Sequence, residues 1–270
     1  MSRILYSGTR NASSWAFRAW LALREQGIEF EERIVDIRKP QRFENLARIA
    51  VFSPPAAVPV LVDGETVIHD SLAIMEYASE LGASPLLPVD IRDRARARAL
   101  LAWVHSGLSG LCGHLSFESA FYPKRRRMTA QEQAEAGRIL AACQQALTHS
   151  GGPYLCGALS LADLAFVPVL WRLFAHDVDA SAWPQVVDWT ERLLSRPTVR
   201  EWLREAEALP PVYLDDYAPE ARCHASSQRR PMMPSRISAM QPNRAGEGLS
   251  PYAKMPSAAT PIAPMPVHIA

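Results

Sequence analysis

Four short stretches of the sequence hold residue types that can do chemistry at a helix end or a strand edge. Asn11-Ala12-Ser13-Ser14 stands directly before an apolar run from Trp15 to Leu23. Read as a helix, that run begins with unpaired backbone N–H groups and the positive end of a dipole, to which the two hydroxyls add donors. Such an end suits an anion; it equally suits a plain N-cap, the commonest use of serine there. Val58-Pro59 precedes Val60-Leu61-Val62, at a position where a strand tolerates proline. Asp70-Ser71 precedes Leu72-Ala73-Ile74-Met75, where either side chain can cap a helix. Ser160-Leu161-Ala162-Asp163 has the form of a capping box, with Asp in place of the usual Glu.

Other chemistries find little support. The seven histidines make no H-E-x-x-H pair, the cysteines at 112, 143, 156 and 223 make no C-x-x-C or zinc spacing, and no Gly-rich phosphate loop is present. No metal or nucleotide is implied. Lys124-Arg125-Arg126-Arg127 could draw an anionic substrate, although a run this short more often forms a solvated loop. A net charge of +1 gives no bulk attraction to nucleic acid or to a membrane surface, and no apolar stretch reaches a span's length of about 20 residues. The chain enters a strand-like run at once, without a secretory leader, so the expectation is a cytoplasmic protein with reduced, mostly buried thiols.

These residues must be positioned by elements that the patterning also predicts. Residues 3–7 read as a strand, Trp15–Leu23 as a helix, Glu29–Ile37 as a second strand and Arg42–Ile49 as a short helix. Two apolar runs around Asp63-Gly64 read as a hairpin, and a capped helix follows from Leu72. The order is β-α-β-α-β-β-α. Beyond a proline-bounded connection at 84–91, the patterning predicts helices only: Asp90–Leu108, Ala130–Leu147, a buried helix from Ser160 to Phe174, and a single amphipathic helix from Trp189 to Leu203. Pro168 inside the buried helix should remove one backbone hydrogen bond and bend it.

From about Pro219 the composition shifts. The last 52 residues hold nine prolines, five methionines and one aromatic residue, which is too little to offset the entropy of ordering them. With six Lys/Arg against two Asp/Glu this segment carries +4, and 1 − 4 leaves −3 on the rest. The expected organisation is an α/β domain over 1–82, a linker over 83–93, an all-helical domain over 94–210 and a disordered basic tail over 211–270.

Val58-Pro59 before a strand, Asp70-Ser71-Leu72-Ala73-Ile74 after a hairpin, the Ser160–Asp163 box and the turn Asn11–Arg18 together resemble the cytosolic glutathione S-transferases, bacterial and loosely zeta-like, over about residues 3–208. The resemblance implies a thioredoxin-like N-terminal domain, an all-α bundle and a homodimer with a detoxifying role. Its co-substrate would be glutathione, activated as a thiolate for attack on a small hydrophobic electrophile. Two alternatives stand beside that activity: glutathione-dependent isomerisation or dehalogenation of a small acid, and a non-catalytic binding module. By the same resemblance Ser13, Asn11 and Ser14 are the candidates for stabilising the thiolate, with Ser13 first. Asn11 falls on the zeta-class catalytic serine and Ser13 on that class's cysteine. Val58, beside a cis Pro59, would pair with the glutathione backbone as an added strand does, Asp70 and Ser71 would take its γ-glutamyl end, and Arg42 its glycine carboxylate. Trp103, His105, Cys112, His114, Phe117 and Tyr122 are the candidates for an acceptor site between the two halves.

Overall fold

A computed structural model describes residues 3–214. Its first half runs β1 (Arg3–Gly8), α1 (Ser14–Glu25), β2 (Glu31–Val35), α2 (Arg42–Ala50), β3 (Val60–Asp63), β4 (Thr66–His69) and α3 (Ser71–Leu81), the order read from the sequence. The four strands form one sheet in the order β2-β1-β3-β4. β1 lies parallel to β2 through a crossover by α1, and β3 is antiparallel to both β1 and β4. This is a thioredoxin-like sheet. Asp63 pairs with Thr66 across a two-residue turn, so the turn residues are Gly64 and Glu65 rather than Asp63 and Gly64. Gly64 takes φ +61°, as the first central residue of a type II′ hairpin turn requires.

The second half is helical among the described residues: α4 (Ile91–Ala102), a π-helical segment (Trp103–Gly107), α5 (Ser109–His114), a 3₁₀ turn (Glu118–Phe121), α6 (Ala130–Ser150), α7 (Leu161–Ala175), α8 (Pro184–Leu194) and α9 (Pro197–Glu207). None of these helices is long and apolar enough to cross a membrane.

Three boundaries differ from the sequence reading. Asp90 caps α4 by accepting from the N–H groups of Arg92 and Asp93, so the helix starts where the patterning from Asp90 places it and the linker expected over 83–93 stops at Asp90. The single helix expected over Trp189–Leu203 is two helices, because Pro197 cannot continue a helix and holds Arg196 in an extended conformation (φ −61°, ψ 136°). Residues 211–214, assigned to the tail, are held on the helical half. The Tyr122 hydroxyl donates to the Val212 carbonyl and accepts from the Leu214 N–H, both at 2.9 Å, and the Tyr213 ring packs on Tyr122. The rest of the tail, 215–270, lies outside the described residues.

The two halves meet on α1, which packs against α3 on one side and against α7 and α9 on the other. Phe17 stacks on Trp202 of α9 at 4.7 Å, a contact worth about 0.5–1.5 kcal/mol beyond its area. α7 is buried along most of its length, including its two charged residues, Asp163 and Arg172. Asp163 accepts from the N–H and hydroxyl of Ser160, the Leu155 N–H and the Trp189 indole. Burial raises its pKa and these four donors oppose that rise, so one carboxylate joins the start of α7 to the loop before it and to α8.

Candidate functional site

The turn from Thr9 to Ser13 returns the chain from β1 into α1, with the N–H groups of Ala12 and Ser13 both donating to the Thr9 carbonyl. Ser13 is extended and caps α1, its Oγ accepting from the Ala16 N–H at 3.2 Å. A hydroxyl that accepts at a cap keeps its proton for another acceptor, so capping and anion stabilisation are compatible at this residue. Gly8 explains the placement of Ser13. A Cβ at Gly8 would lie 2.6 Å from Ser13 Cβ and 3.1 Å from Val58 Cγ2, so the missing side chain lets the α1 cap and the Val58 segment converge on β1.

The neighbouring hydroxyl has different company. Ser14 Oγ accepts from the Arg172 guanidinium at 3.3 Å and lines a cavity of about 310 Å³ between α1 and the helical half. Trp15, Arg18, His105, Cys112, Glu118 and Arg172 contribute to its wall. Arg18, one turn after Ser14, donates its Nε to the Ala165 carbonyl and stacks on Trp15, yet its Nη1 has no hydrogen-bond partner. Arg172 gives its two Nη atoms to Cys112 Sγ (2.8 Å) and Ser14, and its Nε has none. Both arginines are 3% exposed. Burial and the neighbouring Arg172 charge lower the Arg18 pKa to about 9, and burial raises the Glu118 carboxyl against the pull of Arg172 and Arg42. Two desolvated cations facing one small cavity favour an anion there.

Asp70 lies at the start of α3, beside His105. It caps α3 by accepting from the Leu72 N–H at 2.7 Å, and it does so from φ +76°, ψ 133°, a conformation non-glycine residues rarely adopt. Its second oxygen is 3.4 Å from His105 Nε2, and the His105 ring meets Trp15 edge-on at 5.1 Å. Ser71, buried, opens α3. Val58 is half-buried, lies just before the β3 ladder, and its bond to Pro59 is cis. Arg42, exposed, starts α2 on the side from which its charge reaches Glu118.

The structure thus sets Val58 and Ser13 on either side of Gly8, and joins Asp70 through His105 to Trp15 in the first turn of α1; Pro59 follows Val58, Ser71 follows Asp70, and Arg42 is exposed on α2. Asn11 is set apart: it is buried, and its amide donates to the Pro210 carbonyl at 2.9 Å. Among the acceptor candidates, His105, Cys112 and Phe117 line the cavity. Trp103 packs on Phe166, His114 is exposed and Tyr122 holds the 212–214 segment. The basic run does structural work, since Arg125 donates to the Ala120 and Tyr122 carbonyls and Arg126 pairs with Glu132. The sequence alone assigns no site role to Arg18, Arg172 or Glu118. A signal existed: Arg18 and Arg172 each interrupt an otherwise apolar helical run, where an arginine needs a reason to be buried.

Known proteins share this fold. The family "Glutathione S-transferase, N-terminal domain" matches residues 12–81, and "Glutathione S-transferase, C-terminal domain" matches residues 110–197. A protein of Caenorhabditis elegans named "Probable maleylacetoacetate isomerase" is 32% identical over 72% of this chain and 89% of its own length. The maleylacetoacetate isomerase of Mus musculus is 32% identical over 71% of this chain and 88% of its own. A Burkholderia glutathione transferase homologue, solved with bound glutathione, superposes with a TM-score of 0.57 at 26% identity, covering 78% of this chain and 100% of that one.

Proposed function

Since the chain belongs to the glutathione S-transferase family, we propose that it is a glutathione-dependent enzyme acting on a small electrophile that carries a carboxylate. The reaction we assign is isomerisation of an unsaturated acid, as the names of its relatives suggest. The observation that carries this reading is the pair Arg18 and Arg172, buried with an unpartnered nitrogen each and, among the described residues, in no ion pair, in the same cavity as the hydroxyl that begins α1; the one carboxyl in that wall, Glu118, is raised by burial. A purely hydrophobic electrophile leaves Arg18 Nη1 and Arg172 Nε unpartnered.

The residues around the cleft fit glutathione. A chain segment beside a cis proline and outside the ladder can pair with a peptide backbone, and the α3 N-terminus with Asp70 and Ser71 offers partners for an amine and a carboxylate. Glutathione supplies a sulfur nucleophile that is also a good leaving group. Ser13 donates its hydroxyl proton to that sulfur, aided by the α1 N–H groups, and Ser14 faces the acceptor. Arg172 and Arg18 hold the acceptor carboxylate and orient it, and the low end of the usual range of ligand cavities, about 300 Å³, keeps the acceptor small. A homodimer located in the cytoplasm belongs to this reading.

The test is retention on immobilised glutathione, followed by turnover of a cis-unsaturated dicarboxylic acid and of a neutral aryl halide. The expected result is retention with preferred turnover of the acid. Turnover of the aryl halide alone would return the protein to simple conjugation, and retention without any turnover would make it a binding module.

A further inference from the structure

We propose that Cys112 is a second working thiol of this cleft, which exchanges with glutathione disulfides and carries a glutathionyl group as a mixed disulfide. The inference rests on the reading that glutathione occupies the cleft. Cys112 sits on α5, half-buried, in the wall of the 310 Å³ cavity. Its sulfur accepts a hydrogen bond from Arg172 Nη1 at 2.8 Å, while Nη2 of the same guanidinium is 3.3 Å from Ser14 Oγ at the start of α1. The Cys112 sulfur and the Ser14 hydroxyl, next to the Ser13 at which we place the glutathione sulfur, therefore share one cation. Arg18, 3% exposed, adds a second guanidinium to this wall with its Nη1 unpartnered. A thiol that opens on a cavity between two guanidiniums is placed to meet an anionic disulfide. The other described cysteines lack this company: Cys143 lies in the core and Cys156 is half-buried, and burial raises the pKa of both.

The exchange balances without a further reagent. The Cys112 thiolate attacks one sulfur of a glutathione disulfide, forming a new S–S bond as the old one breaks. The electron pair leaves on the departing glutathione thiolate, which takes up the proton that Cys112 gave up. Cys112 is oxidised to the mixed disulfide and one glutathione is released reduced. Attack of glutathione on the bound glutathionyl sulfur restores the Cys112 thiolate. While it persists, the adduct occupies the acceptor side of the cavity, so turnover falls with oxidation and returns with reduction.

The full chain is incubated with glutathione disulfide, then analysed by intact mass and peptide mapping. The expected product is one glutathionyl group on Cys112, removed by excess reduced glutathione and absent from Cys112→Ser. Arg172→Gln should slow its formation about tenfold to a hundredfold, the scale for losing a hydrogen bond to a charged group. Competition on the unsubstituted protein repeats the test: S-methylglutathione should protect Cys112 from the adduct. No adduct at Cys112, or equal labelling of Cys156, on protein that still binds immobilised glutathione overturns the role of Cys112 and spares the glutathione reading. Failure to bind immobilised glutathione overturns both.

Discussion

Asn11 and Pro210 are joined by a hydrogen bond of 2.9 Å across 199 residues of sequence. The bond ties the turn that opens α1 to the segment that follows α9, and it uses an amide that the family resemblance would have aimed at a thiolate. Asn11→Ala should therefore act on stability, by about 0.5–1.5 kcal/mol for one hydrogen bond. Urea titration reads that loss, and kcat should stay within about twofold of the parent, too small a change for a lost transition-state contact. A large drop in kcat at unchanged stability would put Asn11 back at the sulfur.

Gly8→Ala tests whether the cap and the Val58 segment must touch. The added methyl would stand 2.6 Å from Ser13 Cβ, closer than real Cβ atoms approach one another, so Ser13 has to move. Overpacking of this kind costs about 1–3 kcal/mol, and here it displaces the hydroxyl as well. The expectation is weaker retention on immobilised glutathione together with a lower Tm. Full retention would show that Ser13 and Val58 are not jointly required.

Arg172→Gln should lower kcat/KM for the anionic acceptor by about tenfold to a hundredfold, mainly through KM, and have less effect on a neutral one. Arg172→Lys should not restore it, because an ammonium cannot reach Cys112, Ser14 and a carboxylate at once as a planar fork does. Equal losses for charged and neutral acceptors would argue that Arg172 only packs.

Acid should loosen the start of α6. The Arg126 guanidinium holds the Glu132 carboxyl at about 2, below its ordinary 4.5, and Glu132 also accepts from the Thr129 N–H that it caps. A depressed pKa means that this contribution is complete above the ordinary value and is lost as pH falls toward the folded one. Denaturant midpoints measured from pH about 5 down to about 2 should fall more steeply for the parent than for Glu132→Gln.

Much of this was legible in the sequence. Apolar runs and the Asp63-Gly64 turn signal gave the order of elements along the chain, and Ser13, Asp70 and Ser160 marked helix starts because caps are local chemistry. What escaped was either local but misjudged or not local at all. Pro197 was a visible breaker inside a run that looked amphipathic throughout. The use of Asn11 depends on Pro210, and the cationic cavity depends on α1 and α7 meeting, 158 residues apart. No window of sequence contains those pairings.

The π-helical segment Trp103–Gly107 has a consequence of its own. α4 packs on α7, while the wider turn at its end brings His105 to Trp15 and Asp70 on the other half of the molecule. An extra residue in one turn works as a phase shifter, advancing the later residues by about 100° relative to an unbroken α-helix. One continuous rod thereby keeps two orientations, one for the bundle and one for the cleft. Removing a single residue there would leave both halves folded and point the histidine elsewhere.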